Sequence, residues 1–175
     1  METTKNNLTK NEKNFFNGVS KYLESPLYFY GSIQRNDYLQ GQSDIDTVIF
    51  TDNETATISK LINYLHIKKS KIKGFVIEGD TKIIKGSKIF YEDPSGEFFV
   101  EFAIINYKNR ESFLDYHSKK YNLPFYISFI LIIIKFFYYQ LGILPQGYYS
   151  TIKNLLMTYG LGLPRVKFVR FDEKI

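Results

Sequence analysis

The pattern of apolar and polar positions divides the chain into a helix, a run of strands and a second run of helices. Residues Leu8 to Leu23 place Phe15, Phe16, Val19, Tyr22 and Leu23 at helical spacing before Pro26 stops the pattern, which predicts an amphipathic helix. Leu27 to Tyr30 is a short apolar strand running into Gly31-Ser32, and after the polar loop IQRNDYLQGQ the segment Ile45 to Phe50 reads as a second strand. Asp52 or Asn53 caps a helix through Ile58, Leu61, Ile62 and Leu65. Ile72 to Ile77, Lys82 to Tyr91 and Phe98 to Ile105 are three further strands, the last nearly continuous in apolar residues, as a central strand should be.

Helices are then predicted for Glu111 to Ser118, Pro124 to Leu141 and Tyr148 to Tyr159, with RVKFVRF as a terminal edge strand. This order implies an α+β fold, a mixed sheet with flanking helices followed by a short helical segment. The division expected is a domain over 1–110 and a helical segment over 111–175.

Phe125 to Ile143, FYISFILIIIKFFYYQLGI, is apolar and long enough to be weighed as a membrane span. Lys135 at its middle, Tyr138, Tyr139 and Gln140 beyond it and flanks without charged anchors favour a buried core helix and no membrane. The polar opening METTKNNLTKNEKN lacks the apolar stretch of a signal peptide, so an intracellular, cytoplasmic protein is expected. An Ile-, Lys- and Asn-rich vocabulary is compatible with a viral or parasite source.

Composition narrows the chemistry. The 175 residues contain no Cys, which excludes disulfides, thiolate zinc sites and cysteine nucleophiles, and His66 and His117 are too far apart for a ligand pair. A metal would be held by carboxylates, which suits magnesium or manganese. The net charge of +5 favours polyanionic partners, although Lys68, Lys69, Lys71 and Lys73 form the only dense cluster and read more simply as a solvated loop than as an RNA contact. His117 reads as a surface residue, and Arg35 and Asp37 as a pair.

The candidate chemistry lies in LYFYGSIQRNDYLQGQSDIDTVIF. Side chains two apart on a strand share a face, so Asp44 and Asp46 present two hard anionic ligands together while Ile45 turns to the core. Gly31 lets the backbone approach an anion, and the N-H of Gly31 with the N-H and hydroxyl of Ser32 can donate to phosphate oxygens. Glu101 interrupts the apolar strand FFVEFAII, and a buried carboxylate requires a partner or a metal. As a third carboxylate it would complete a two-metal clamp over Asp44, Asp46 and Glu101. Lys135, an ammonium amid apolar residues, calls for an anion in the same way, and a γ-phosphate is one.

This stretch resembles the signature of the DNA polymerase β-like nucleotidyltransferase superfamily, Gly-Ser followed about ten residues on by Asp-x-Asp. FFVEFAIIN, ending in Asn106, resembles the third-carboxylate strand of non-standard poly(A) polymerases and terminal uridylyl transferases. ILIIIKFFYYQLGI resembles their helix with a triphosphate-binding lysine, which places Lys135, and GYYSTIKNLLM resembles the next helix, placing Gly147, Ser150 and Met157, with Ser150 as a phosphate or sugar contact. The resemblance spans about Leu8 to Leu161. It implies a template-independent transferase using a nucleoside triphosphate, ATP or UTP, with Mg2+ or Mn2+, and an RNA 3′ end as the favoured acceptor, a protein hydroxyl or a small molecule staying open. A protein partner or a second copy of the chain stays open.

Three positions depart from the family pattern. Glu101 stands where the family has Asp, Ile152 where a base-stacking tyrosine is expected, and Tyr139 where a second lysine is expected; Tyr148 or Tyr149 is left as the stacking surface. The chain also stops before the segment that in those transferases reads the base. The alternative these departures leave is a catalytically inactive scaffold or regulatory subunit that binds nucleotide or RNA.

Overall fold

The computed structural model describes residues 4–78, 83–163 and 166–169, with side chains of the last stretch and of residue 69 outside the description. Helix α1 (Lys10–Leu23) starts at Thr9, whose hydroxyl accepts from the Glu12 N-H while the Glu12 carboxylate accepts from the Thr9 N-H. This reciprocal cap satisfies two otherwise orphaned donors. Phe16, Val19 and Leu23, at helical spacing, form its buried stripe.

Strand β1 (Tyr28–Tyr30) pairs antiparallel with β2 (Ile45–Thr51), and α2 (Glu54–Leu65) follows behind an Asn53 cap. Strands β3 (Ile72–Glu78), β4 (Ile83–Glu92) and β5 (Phe99–Asn106) form the antiparallel part of the sheet, and β5 pairs parallel with β2. Three helices follow: α3 (Arg110–Ser118), α4 (Phe125–Lys135), continued by a π-helical turn (Phe136–Gln140), and α5 (Gln146–Leu161). The short β6 (Val166–Val169) then pairs with β3 at the sheet edge, where the sequence pattern places a strand. The strand order is β1-β2-β5-β4-β3-β6, a mixed sheet with flanking helices, and the expected α+β class holds.

Strand alternation sorts the core into two layers. Ile45, Ile49, Val100, Phe102 and Ile104 face α1 and α2, whereas Val48, Phe50, Ala103 and Ile105 face α3 through Phe113 and Tyr116. A separate cluster around Ile127, Leu131, Ile134 and Tyr149 joins α4 to α5.

The expectation of a buried core helix over Phe125 to Ile143 is corrected here. Phe125 is 86% exposed and Phe129 62%, and Ile132, Ile133, Phe136, Phe137 and Ile143 are exposed as well. Only one stripe of α4 meets a partner layer, because α5 and the loop before β2 cover a single side of it. Among the described residues no helix is long and apolar enough to cross a membrane.

Candidate active site

The pocket-facing layer of the sheet carries the carboxylates. Asp46 follows Ile45, which is fully buried, so its side chain turns to the α3 face, and parallel pairing sets it directly opposite Glu101 on β5. Asp44 lies just before β2 and lines the same cavity, of about 920 Å³, together with Gly31, Ser32, Asp46 and Glu101. Gly31 adopts φ +75, and a Cβ built there would stand 1.8 Å from Asp46 Oδ2. Only glycine allows the turn and the carboxylate to approach so closely.

Burial, reinforced by the Glu101 charge, pushes the Asp46 carboxyl up to about 7. Asp44, exposed on its outer side, is raised by the desolvation that surrounding protein imposes, with Lys153 acting against it and Glu101 with it. Convergence of anions in a shielded place is the electrostatic condition for holding a cation. Oxygen donors of this kind suit a hard divalent ion.

Glu101 is differently engaged. Lys88 Nζ on β4 lies 2.5 Å from Glu101 Oε1, and the Tyr30 hydroxyl donates to the same oxygen at 2.9 Å. Burial and the neighbouring Glu101 and Asp46 charges raise the Tyr30 phenol well above its usual range, so it remains a donor. Among the described residues, no group of three His, Cys, Asp or Glu side chains is gathered closely enough to hold a metal ion. The structure thus places Asp44, Asp46 and Glu101 on one cavity wall, with Glu101 tied to a lysine.

Cationic groups line the same cavity. Lys153 on α5 and Lys120 beyond α3 line the cavity with Ser150. Burial, with Lys88 and Lys153 nearby, lowers the Lys120 ammonium to about 7. His117, read from sequence as a surface residue, is in fact buried between the Tyr30, Phe113 and Tyr116 rings. Burial, then the Lys120 charge, holds it well below its usual pKa, and its Nδ1 has no hydrogen-bond partner among the described residues. Sequence reasoning passed over Lys120 and Lys153 and set His117 at the surface. Their only linear signal is that His117 and Lys120 flank the α3 C-terminus and that Lys153 follows Ser150 by three residues.

Lys135 is not among the cavity-lining residues, although its charge reaches Asp44. Its side chain is 2% exposed, and its ammonium pairs with Asp37 Oδ2 at 3.1 Å and donates to the Asp37 carbonyl at 2.5 Å and to Ser43 Oγ at 3.1 Å. The anion that meets this lysine is therefore a carboxylate, which Arg35 also grips through Nε at 2.7 Å and Nη2 at 3.0 Å. Burial pushes Asp37 up, but the hydrogen bonds and charges of Arg35 and Lys135 outweigh it and hold the carboxyl below its usual range. Burial lowers Lys135 to about 8 against the opposing pull of Asp37. This cluster pins the loop that delivers Asp44, because Ser43 is its immediate neighbour. Tyr149 is buried and stacked on Tyr138 at 4.5 Å, so one of its ring faces is occupied, and Tyr148 lies outside the cavity. Asn106 caps the turn after β5 and does not line the cavity.

A mixed sheet that brings a glycine turn and strand carboxylates to a cavity also lined by ammonium groups has the form of a nucleotide-handling domain. Residues 13–108 match the family model described as nucleotidyltransferase domain, and the chain belongs to that family. No curated protein matches the sequence. Among solved structures, the chain is similar to the GLD-2/RNP-8 complex, at 12% identity over 88% of this chain and 56% of that one, TM-score 0.43. A mutant of the Cid1 poly(U) polymerase bound to MgATP aligns at 13% identity over 86% of this chain and 49% of that chain, TM-score 0.47. The polymerase core of TRAMP, an RNA surveillance complex, aligns at 16% identity over 87% and 51%, TM-score 0.40. The chain spans about half the length of these structures.

Proposed function

We propose that the protein is a template-independent nucleotidyltransferase that moves a nucleoside monophosphate from ATP or UTP to an acceptor hydroxyl, with an RNA 3′ end as the acceptor. The observation that carries this reading is the single cavity that the Gly31-Ser32 turn, Asp44, Asp46 and Glu101 line together with Lys120, Lys153 and Ser150. The acceptor oxygen forms a bond to the α-phosphorus, the bond to the β-phosphate oxygen breaks, pyrophosphate leaves and the hydroxyl proton is lost toward the carboxylate wall. Asp44 and Asp46, with Glu101 beside them in register, are the residues that would hold Mg2+ or Mn2+. Such an ion would supply charge neutralisation at the reacting phosphate and a lowered pKa for the attacking hydroxyl.

The chain's own groups do the positioning. The Ser32 hydroxyl and the turn's N-H groups orient phosphate oxygens, and Lys120 and Lys153 offer the charge that the triphosphate requires, a place the sequence reading gave to Lys135. Lys135 instead holds the loop that aims Asp44, through Asp37 and Ser43. Tyr149 and Tyr138 form the aromatic floor beside Ser150. In this reading residues 1–110 form the catalytic domain and 111–175 the helical segment that packs on it, from which Tyr149, Ser150 and Lys153 line the cavity.

The Lys88 ion pair favours a second reading, a catalytically silent member that binds nucleotide without transferring it, because the third carboxylate already has a cation. The protein is incubated with each labelled nucleoside triphosphate, magnesium or manganese, and a short RNA. Extension that disappears in Asp44→Ala plus Asp46→Ala supports the transferase. Nucleotide binding with no turnover under either metal refutes it in favour of the scaffold.

A further inference from the structure

The cavity's carboxylate wall continues sideways into a strip of the sheet that α3 leaves uncovered. Antiparallel pairing sets Phe90 of β4 directly opposite Glu101 and Phe99 directly opposite Glu92, so Phe90, Phe99 and Glu101 share one face. Phe99 also lines the cavity and is 38% exposed, and Phe90 is half-buried. One strand further out, Lys73 of β3 is directly opposite Lys88, the residue bound to Glu101, and its Nζ lies 5.2 Å from the centroid of the Phe90 ring. Neighbouring strands are about 4.8 Å apart, so the step from Glu101 on β5 to Lys73 on β3 is roughly 10 Å. The exposed Lys68 and Lys71 lie just before β3 and extend the positive charge away from the cavity. Glu92 lies on the same face at its Phe99 end.

Half-exposed phenylalanines on a strand face are costly to leave against water, and a lysine run beside them attracts anions. Rings followed by ammonium groups along one path offer what a single-stranded nucleic acid requires: apolar surface for bases and charge for phosphates. A duplex offers no free base faces. The path also ends at the carboxylates, where a terminal hydroxyl would have to arrive.

We infer that Phe90, Phe99 and Lys73, continued by Lys71 and Lys68, form the docking strip for the 3′-terminal nucleotides of a single-stranded RNA acceptor. This rests on the transferase reading for its purpose, but not for its test. A fluorescently labelled single-stranded RNA of about ten nucleotides is titrated with the whole protein and followed by anisotropy at several salt concentrations, with an RNA duplex as competitor. Phe90→Ala is expected to weaken binding roughly tenfold, the size of one lost base stack. Phe90→Leu, which keeps the apolar packing and lacks the flat ring, should weaken it nearly as much. Lys73→Ala is expected to weaken binding evenly across sequences and to lower the salt slope by about one.

Asp44→Ala plus Asp46→Ala should retain RNA affinity while losing any extension. RNA binding that maps to the strip without nucleotide transfer would therefore refute the transferase and leave the strip intact. Transfer with an RNA KM indifferent to Phe90→Leu and Lys73→Ala would do the reverse. Absence of binding by the unaltered protein, equal competition by duplex, or affinity unchanged in folded Phe90→Leu and Lys73→Ala proteins each overturns the inference.

Discussion

Replacing Asp37 by Asn removes one negative charge from a fully buried site. Its carboxylate accepts from Arg35 Nε at 2.7 Å and Nη2 at 3.0 Å and pairs with Lys135 Nζ at 3.1 Å, and neither cation has more than a few per cent of its side chain exposed. Asn is nearly isosteric, so no cavity forms; the cost is two buried cations that lose the one carboxylate between them, Lys135 keeping only the neutral Asp37 carbonyl and Ser43 hydroxyl. Removing one partner of a buried pair typically costs about 3–5 kcal/mol. Lys135→Met should cost less, about 1–3 kcal/mol, because Asp37 keeps its two-pronged contact with Arg35 while the Asp37 carbonyl and Ser43 hydroxyl lose a donor. Urea unfolding reads both. With a slope of about 2 kcal/mol per molar, Asp37→Asn should lower the midpoint by about 1.5–2.5 M and Lys135→Met by about 0.5–1.5 M, slopes unchanged. The decisive comparison is nucleotide binding by the folded Lys135→Met protein. Affinity within about threefold of the parent agrees with a lysine that braces a loop, whereas a hundredfold loss at unchanged stability would mean that Lys135 leaves Asp37 to grip a phosphate, and the assignment made from this geometry would be wrong.

Gly31→Ala should reduce transfer roughly a hundredfold, the scale of a 1 Å misplacement, since φ +75 and a Cβ 1.8 Å from Asp46 Oδ2 force that carboxylate to move; a steady-state rate within threefold of the parent would contradict it. Manganese at a hundred times its dissociation constant should add about 2.7 kcal/mol and raise the melting temperature by about 5–10 °C, an increase absent in Asp44→Asn plus Asp46→Asn; differential scanning fluorimetry of both proteins decides this. His117 is held neutral, with a folded pKa well below the unfolded value of 6.5. Its contribution to stability is complete above pH 6.5 and is lost as pH falls below it, because only the unfolded chain then takes up the proton. The parent should therefore lose about 1.4 kcal/mol per pH unit below 6.5 relative to His117→Gln. Asp46, raised to about 7, acts in the opposite direction, favouring the fold when protonated, but it does so in both proteins and drops out of their difference. Parallel stability curves for the two proteins from pH 5 to 7 would show that His117 is not buried neutral.

Local chemistry made much of the molecule legible in one dimension. The Thr9 and Asn53 caps, the stripe of Phe16, Val19 and Leu23, the alternation through Ile45 and Asp46 and the terminal edge strand all follow from short-range spacing, because period 3.6 and period 2 assign faces without reference to the rest of the chain. Gly31, Asp44 and Asp46 were readable for the same reason, being a turn and a strand face within sixteen residues. Tertiary structure decided which charges meet. That Lys135 would find Asp37, 98 residues away, and that Glu101 would find Lys88 depended on helix docking and on strand register, neither of which the local pattern specifies. The same holds for α4, whose apolar sequence states a preference for burial but not whether another layer exists to provide it. Periodicity determines the face a side chain occupies; only the packing of distant segments determines what stands opposite, and for buried charges that partner sets the role.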